Sequence, residues 1–343
     1  MAKILLKDGK SIEDFSIPYI VAEVNSSHYG NIETARKMIN AAKEAGCDCV
    51  KFQSWSLESL YSKTYYDKNP ITKRIVSKFS LNQDELLEMA NYCKEIGIDF
   101  SSTPYSEPEV DFLVERCEVP FIKIASMEIN NYDFLEYIAK KGLPIVLSTG
   151  MSEIEEVKKA VEIIETAGNS QIVLLHCISI YPADPKTINL NNIPMLRELF
   201  PNYPIGFSDH TLGCEISCAA TALGTALIEK HLTLDKTKMG MDNNMAIEPE
   251  EMKTLVDNCH NVQFAIGSRE RIVREDERAQ RLKMGRSVIA LRDLEAGTVL
   301  TREMLGVKRP GDGISPDQIP SLIGKKLINV VAADCLINKE DIE

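Results

Sequence analysis

Eight short apolar runs, each stopping on small polar, lysine or histidine residues, constrain this chain more than any other feature. They are Tyr19–Glu23, Cys49–Gln53, Ile98–Thr103, Phe121–Ser126, Ile145–Thr149, Ile172–Cys177, Ile205–His210 and Ala226–His231. Helix-period stretches separate most neighbours. Strand–helix alternation repeated eight times predicts an α/β fold, a (β/α)8 TIM barrel. Barrels of this kind carry their active sites at the C-terminal ends of the strands. The residues collected there are Glu23, Lys51, Gln53, Thr103, Lys123, Ser126, Glu128, Ser148, Ser208, His210 and His231. Two histidines, two lysines and several hydroxyls make an anion-plus-metal site.

The rest of the chain is organised around that barrel. Residues 1–17 read as a lead-in hairpin that plugs the barrel bottom. Asn31–Ala45 is amphipathic, with Ile32, Ala35, Met38, Ile39 and Ala42 at helical spacing, and it stops at Gly46. Further helices are expected at Leu86–Ile96, Glu107–Arg116, Tyr132–Ala139, Ile154–Thr166, Met195–Phe200, Cys214–Leu223 and Glu250–Ile266. Trp55–Ser80 is long for a strand–helix connection; it reads either as a specificity loop or as a surface excursion. At 343 residues the chain exceeds the roughly 250 typical of one barrel. The expected division is a barrel over 1–267, a charged helical linker over 268–284, and a small, mostly β domain over 285–343. In that tail Ser287–Leu291, Thr298–Leu300 and Leu327–Val331 read as short strands between Gly- and Pro-rich turns. A unit of about 60 residues buries little surface alone, so it is expected to dock on the barrel or on another subunit.

A net charge of −12 argues against nucleic acid or an anionic membrane as the main partner. A local lysine cluster still permits an anionic substrate. The N-terminus lacks the apolar core of a signal peptide and no run approaches a membrane span. The nine cysteines have no framework spacing. Reduced thiols and a cytoplasmic location are expected. Cys214 and Cys218, four apart on a helix, read as half a metal site or as packed hydrophobes.

His210 and His231 end adjacent strands, so two imidazoles meet over the barrel mouth and suit a divalent transition metal. His176 sits earlier in its run and reads as packed, His28 lies in the first loop, and His260 falls on an outer helix. Lys51 and Lys123 are flanked by apolar residues; a charge buried there needs an anionic partner. With Thr103, Ser126, Ser148 and Ser208 they can hold a phosphate and a carboxylate. Either lysine can equally serve as a Schiff-base nucleophile.

The motifs Ala22-Glu23, Val50-Lys51-Phe52-Gln53, Ser102-Thr103-Pro104, Lys123-Ile124-Ala125-Ser126-Met127-Glu128 and Ser148-Thr149-Gly150-Met151 follow one another in order. His176-Cys177, Tyr181-Pro182, Gly206-Phe207-Ser208-Asp209-His210 and Glu229-Lys230-His231 continue the series. In this set the chain resembles the sialic acid synthases of the nonulosonic acid synthase family. Its tail, with Lys308-Arg309-Pro310-Gly311, is similar to their antifreeze-protein-like (SAF) domain. The resemblance implies condensation of phosphoenolpyruvate with an N-acetylated amino sugar to a nine-carbon 2-keto acid, with loss of phosphate. It implies a divalent metal, Mn2+ or Mg2+, on His210 and His231, with Glu23 as an acid/base carboxylate. For phosphoenolpyruvate it implies Lys51, Thr103, Lys123, Ser126, Ser148, Ser179 and Ser208. For the sugar it implies Gln53, Glu128, Tyr181, Asp242 and Arg309, the last reaching over from the tail of a partner in a domain-swapped homodimer.

The chain also departs from that family. Asn25-Ser26-Ser27-His28-Tyr29-Gly30 stands where Gly-x-Asn-His-x-Gly is usual, and Ser179 replaces an asparagine. Gly240-Met241-Asp242-Asn243 replaces Gly-Pro-Asp-His, with Ala246 in place of a serine. Ser179 aside, which is a phosphate position, the departures fall on the sugar side, so the sugar is not expected to be N-acetylmannosamine. Two rival readings stand beside this one: a Schiff-base aldolase on the same barrel, and an inactive carbohydrate-binding barrel.

Overall fold

The computed structural model describes residues 2–343. The chain forms two compact units, the first ending at Gly267 and the second running from Ser268 to Glu343. In the first, eight parallel strands form one sheet: β1 (Tyr19–Glu23), β2 (Cys49–Gln53), β3 (Asp99–Thr103), β4 (Ile122–Ile124), β5 (Ile145–Ser148), β6 (Ile172–Cys177), β7 (Ile205–Asp209) and β8 (Leu227–His231). Their spatial order is β3-β2-β1-β8-β7-β6-β5-β4. The two end strands, β3 and β4, lie together, with the Ser101 hydroxyl donating to the Phe121 carbonyl at 3.3 Å. That approach closes the barrel. The strands begin or end within a few residues of the sequence reading, and Ser126, Thr149 and His210 fall just past the strands they were assigned to.

Side-chain alternation explains what the barrel holds. Outward positions such as Ile20, Val50, Phe100, Leu174 and Ile228 pack against the helices in the main core. Inward positions low in the barrel, among them Tyr19, Val21, Cys49, Phe121, Val173 and Leu227, form a second apolar cluster. The antiparallel pair Lys3–Leu5 and Ser11–Glu13 seals this cluster from below with Ile4, Leu6 and Ile12. Each such aliphatic side chain contributes about 1.5–3 kcal/mol on full burial. The upper inward positions are polar, and the site lies there.

The helices follow local rules. In Ile32–Ala45 the Asn31 side chain accepts from the Thr34 N–H at 2.8 Å, and Ala35, Met38, Ile39 and Ala42 are buried. Residues 55–80 are not a loop. They hold three short helices, Leu57–Leu60, Lys63–Lys68 and Pro70–Phe79, whose starts are marked by Ser56, Ser62 and Pro70. These N-terminal signals were outweighed in the sequence by high tyrosine, serine and lysine content.

The second unit begins with residues 268–274 and the exposed helix Glu275–Met284, so the segment read as a linker clusters with the tail. Its ladder joins β9 (Ser287–Ala290) to β10 (Leu305–Lys308). β10 was not foreseen. Thr298–Leu300 and Leu327–Val331, expected as strands, make single bridges instead, Val299 with Lys326 and Val331 with Leu294. Val288, Leu300, Leu305, Leu322, Leu327 and Ile337 supply the core of this unit. Among the described residues no helix is long and apolar enough to cross a membrane.

Candidate active site

Alternation along β1–β8 sends Glu23, Lys51, Gln53, Thr103, Lys123, Ser148, Cys177, Ser208, Glu229 and His231 to one cavity of about 310 Å³ at the C-terminal mouth. The loops beyond the strands add Asn25, Trp55, Tyr105, Ser126, Ser179, Tyr181, His210 and Asp242. Glu128 does not line it. Glu128 is half-buried in the turn after β4 and accepts from the Asn131 amide at 2.8 Å. Arg309 is exposed in the second unit, with its guanidinium 3.6 Å from the Met284 sulfur.

Four charges occupy the floor. Lys51 pairs with Glu23, donates to the Thr103 hydroxyl at 3.1 Å and lies 3.8 Å from Glu229. Lys123 donates to the Ser148 hydroxyl at 2.8 Å and lies 3.7 Å from Glu229. Glu23 also accepts from the Asn25 N–H at 2.7 Å, and Glu229 from the Ser208 hydroxyl at 3.0 Å. The two carboxyls are driven apart. Burial raises the pKa of Glu23, helped by Glu229 and opposed by Lys51. Burial opposes ionisation of Glu229 too, but Lys123 and Lys51 together hold its pKa low. One carboxyl is thus easier to protonate while its neighbour stays ionised, the condition for dividing acid and base roles. The lysines differ as well. Against burial, Glu229 and Glu23 keep Lys51 high, whereas burial lowers Lys123.

Ser126, Ser179 and Gly150 form a close-packed cradle beyond β4, β5 and β6. The Gly150 N–H donates to the Ser126 hydroxyl at 3.0 Å, and a Cβ at Gly150 would collide with the hydroxyls of Ser179 and Ser126. Glycine is required for that close approach.

Across the cavity the His210 and His231 rings lie 5.4 Å apart at 71°, with the Tyr181 ring 4.2 Å from His210. His210 Nδ1 is 2.7 Å from the Ile178 carbonyl, which can only accept, so Nδ1 carries the proton and Nε2 keeps its lone pair. Burial, then the nearby His210, holds His231 well below its usual pKa, which favours the neutral imidazole. Burial also lowers His210, but Cys177, 3.9 Å away, and the Ile178 carbonyl shift it upward on balance. A metal there competes with a proton. Two imidazoles with an available lone pair fit a divalent cation. Among the described residues no group of three or more His, Cys, Asp or Glu forms a closed cage, so water and substrate would complete the shell.

The other histidines serve structure. His176 donates from Nε2 to the Ile188 carbonyl at 2.6 Å and stacks on Phe207, outside the barrel wall. His28 is buried against Phe52, and its Nδ1 accepts from the Gly30 N–H at 3.1 Å. His260 lies on the helix Pro249–Ile266, and Cys214 and Cys218 are half-buried thiols at the helix Glu215–Ala222.

Glu229 is the main residue that the sequence reading left without a role. The signal was present: Leu227, Glu229 and His231 share one parity in β8, so Glu229 faces inward with His231 and Lys230 faces outward. Tyr105, whose hydroxyl donates to the Gln53 carbonyl at 2.8 Å, carried no such signal because it lies beyond a strand.

The profile of the NeuB family matches residues 38–271, and that of the SAF domain matches residues 285–343. The chain belongs to the NeuB family. This NeuB-family chain is 37% identical to the N-acetylneuraminate-9-phosphate synthase of Mus musculus, over 95% of this chain and 92% of that protein. It is 35% identical to the N,N'-diacetyllegionaminic acid synthase of Legionella pneumophila, over 95% of this chain and 94% of that one. Its structure is similar to the crystal structure of the N-acetylneuraminic acid synthetase of Leptospira borgpetersenii in complex with citrate. The TM-score is 0.74 and the identity 31%, over 81% of this chain and 94% of that one. The NeuB-family assignment covers the strands that build the cavity from β2 to β8.

Proposed function

We propose that this chain condenses phosphoenolpyruvate with an N-acetylated amino sugar to give a nonulosonic acid, releasing phosphate. One observation carries the reading: Lys51, Lys123, the Ser126 and Ser179 hydroxyls and the histidine pair all line one cavity. Lys51 with Thr103 and Lys123 with Ser148 bind the carboxylate and phosphate, which is favourable because the cavity has already desolvated the lysines. His210 and His231 would hold Mn2+ or Mg2+, which supplies Lewis-acid polarisation of the sugar aldehyde when bound. C3 of the enol forms a bond to the aldehyde carbon, whose oxygen takes up the proton held by Glu23. Water then adds at C2, and as the bond from C2 to the phosphate oxygen breaks, the new C2 hydroxyl becomes the carbonyl and its proton leaves with the phosphate. Glu23, which burial makes a better base, receives the proton of that water, while Glu229 stays ionised and balances the lysines. Gln53, Tyr181 and Asp242 orient the sugar.

The loops after β1 and β8 support a sugar other than N-acetylmannosamine. Asn25 donates to Asp242, Ser27 to the Asn243 side chain at 2.6 Å, and Asn243 to Tyr29. Most of these residues depart from the usual pattern, so the polar groups that meet the sugar are arranged differently; a 6-deoxy diacetamido hexose is the proposed substrate class. We extend the proposal to Arg309, acting on the sugar in a partner's site. Mixing Arg309→Ala and His210→Ala chains is then expected to recover activity, and no recovery in a demonstrated mixed dimer removes that part.

The deciding experiment is a phosphate-release assay with phosphoenolpyruvate, Mn2+ and a panel of 2-acetamido sugars. Release that depends on one of the sugars supports the reading; no release with any of them sinks it. One observation favours an aldolase instead, the burial-lowered pKa of Lys123. Borohydride trapping of a substrate adduct on Lys123 would establish that alternative.

A further inference from the structure

Behind the barrel wall, β7 and β8 share a second buried charge pair that the proposed chemistry does not use. Lys230 and Asp209 occupy facing positions in the β7–β8 ladder and point outward, away from the cavity. Their side chains are 2.9 Å apart and both have 0% exposure. Lys230 Nζ also donates to the Thr211 carbonyl at 2.6 Å. The Asp209 carboxylate accepts from the Thr211 N–H at 2.8 Å, the Thr211 hydroxyl at 2.7 Å and the Ser217 hydroxyl at 2.5 Å.

The placement of these bonds is informative. Asp209 precedes His210 and Thr211 follows it, so one ammonium group ties down the chain on both sides of the imidazole. Lys230 itself precedes His231. A single ion pair therefore joins the backbone that carries both histidines, while the Ile178 carbonyl fixes the His210 ring. A buried pair contributes little net stability over an apolar replacement of similar volume, so stability alone gives weak reason for an ion pair with four further charge-assisted bonds at this point. Holding two ligands at a fixed separation gives a stronger reason, since groups behind a ligand set its orientation and affinity.

We propose that Asp209 and Lys230 are positioning residues that set the separation and ring orientation of His210 and His231 for a divalent cation. This rests on the reading of the two histidines as a metal site. Removing Lys230 alone leaves a buried carboxylate without its counter-charge, and such a chain can fail to fold. The test therefore pairs Lys230→Met with Asp209→Leu/Lys230→Met, in which no charge is stranded. Mn2+ affinity is measured by electron paramagnetic resonance titration of the full chain, phosphoenolpyruvate affinity by calorimetry, and the His210 Nδ1–H proton by NMR in metal-free protein.

In the double variant, Mn2+ binding is expected to weaken by about 10–100-fold, the usual cost of losing groups behind a metal ligand. The His210 Nδ1–H signal is expected to broaden or move while the His176 Nε2–H signal stays, and phosphoenolpyruvate affinity is expected to hold within about twofold. Wild-type Mn2+ affinity and an unmoved His210 signal in the folded double variant would overturn the proposal. If the wild-type chain binds no Mn2+ but its His210 signal depends on the pair, the metal reading falls and the positioning role stands.

Discussion

Lys230 outside the barrel wall and Lys123 inside it are both buried, yet their surroundings differ. Lys230 has a carboxylate and a carbonyl within 2.9 Å, and its partner Asp209 accepts three further hydrogen bonds. Lys123 has one hydroxyl at 2.8 Å and a distant carbonyl, that of Ile124, at 3.4 Å; its nearest carboxylate is 3.7 Å away, and burial lowers its pKa. Lys51 stands between the two: it pairs with Glu23 and Thr103, and it shares the Glu229 carboxylate with Lys123 at 3.8 and 3.7 Å. The lesson is that burial of a charge does not mark a site, but an incomplete set of partners does. Where the partners are complete the group holds the frame; where they are incomplete a ligand is expected to finish them.

The sharpest way to break this contrast is to remove what completes the mouth. Chelation is expected to abolish turnover, with Mn2+ or Mg2+ restoring it; full activity in metal-stripped protein would end the metal role of His210 and His231. Next in size, Lys51→Ala and Lys123→Ala are each expected to weaken phosphoenolpyruvate binding by about 2–5 kcal/mol, the cost of losing one partner of a desolvated pair. Calorimetry that finds unchanged affinity in both variants would refute their assignment. At the opposite end of the barrel the effect should fall on stability alone. Ile12→Ala, in the plug, is expected to cost about 2–4 kcal/mol in a denaturant titration and to leave kcat unchanged.

The fold was legible because its signal is periodic. Eight apolar runs with polar ends specify the strands, and period two within each run specifies which side chains face the mouth. The plug was read from its place ahead of β1 and not from period two, since Ile4 and Leu6 flank Leu5, which is as apolar but exposed. What was missed depended on contacts that a linear pattern does not carry. Residues 55–80 look like a loop by composition, yet Tyr66 and Val76 bury against Trp55 and give the helices a small core of their own. In the tail, Leu327–Val331 has strand-like content but meets its neighbours only at single bridges, because tertiary packing outweighs propensity there. Glu229 was overlooked although the parity of β8 contained it. Glu128 was carried over by resemblance from its motif, and the structure places its carboxylate with Asn131 rather than in the cavity wall.

Two smaller effects refine the contrast. Gly150→Ala puts a methyl where the Ser126 and Ser179 hydroxyls converge, so it is expected to raise KM for phosphoenolpyruvate roughly tenfold, about 1.4 kcal/mol, with little change in the sugar KM. Equal increases for both substrates would show that the cradle does not belong to the phosphate. The smallest effect concerns His28, which is buried outside the wall with its pKa pushed down to about 4. A histidine whose folded pKa lies below its unfolded value of 6.5 contributes stability above pH 6.5 and loses it as pH falls toward 4. Between pH 7 and 5.5 the expected loss is about 1 kcal/mol, because only the unfolded chain gains the proton over most of that interval. His28→Gln keeps an acceptor for the Gly30 N–H but cannot titrate, so its denaturant midpoint should vary less with pH by that amount. If the wild type and His28→Gln show the same pH dependence, His28 is already protonated or exposed in the folded state. The division between finished groups outside the wall and unfinished ones inside it would then fail at that residue.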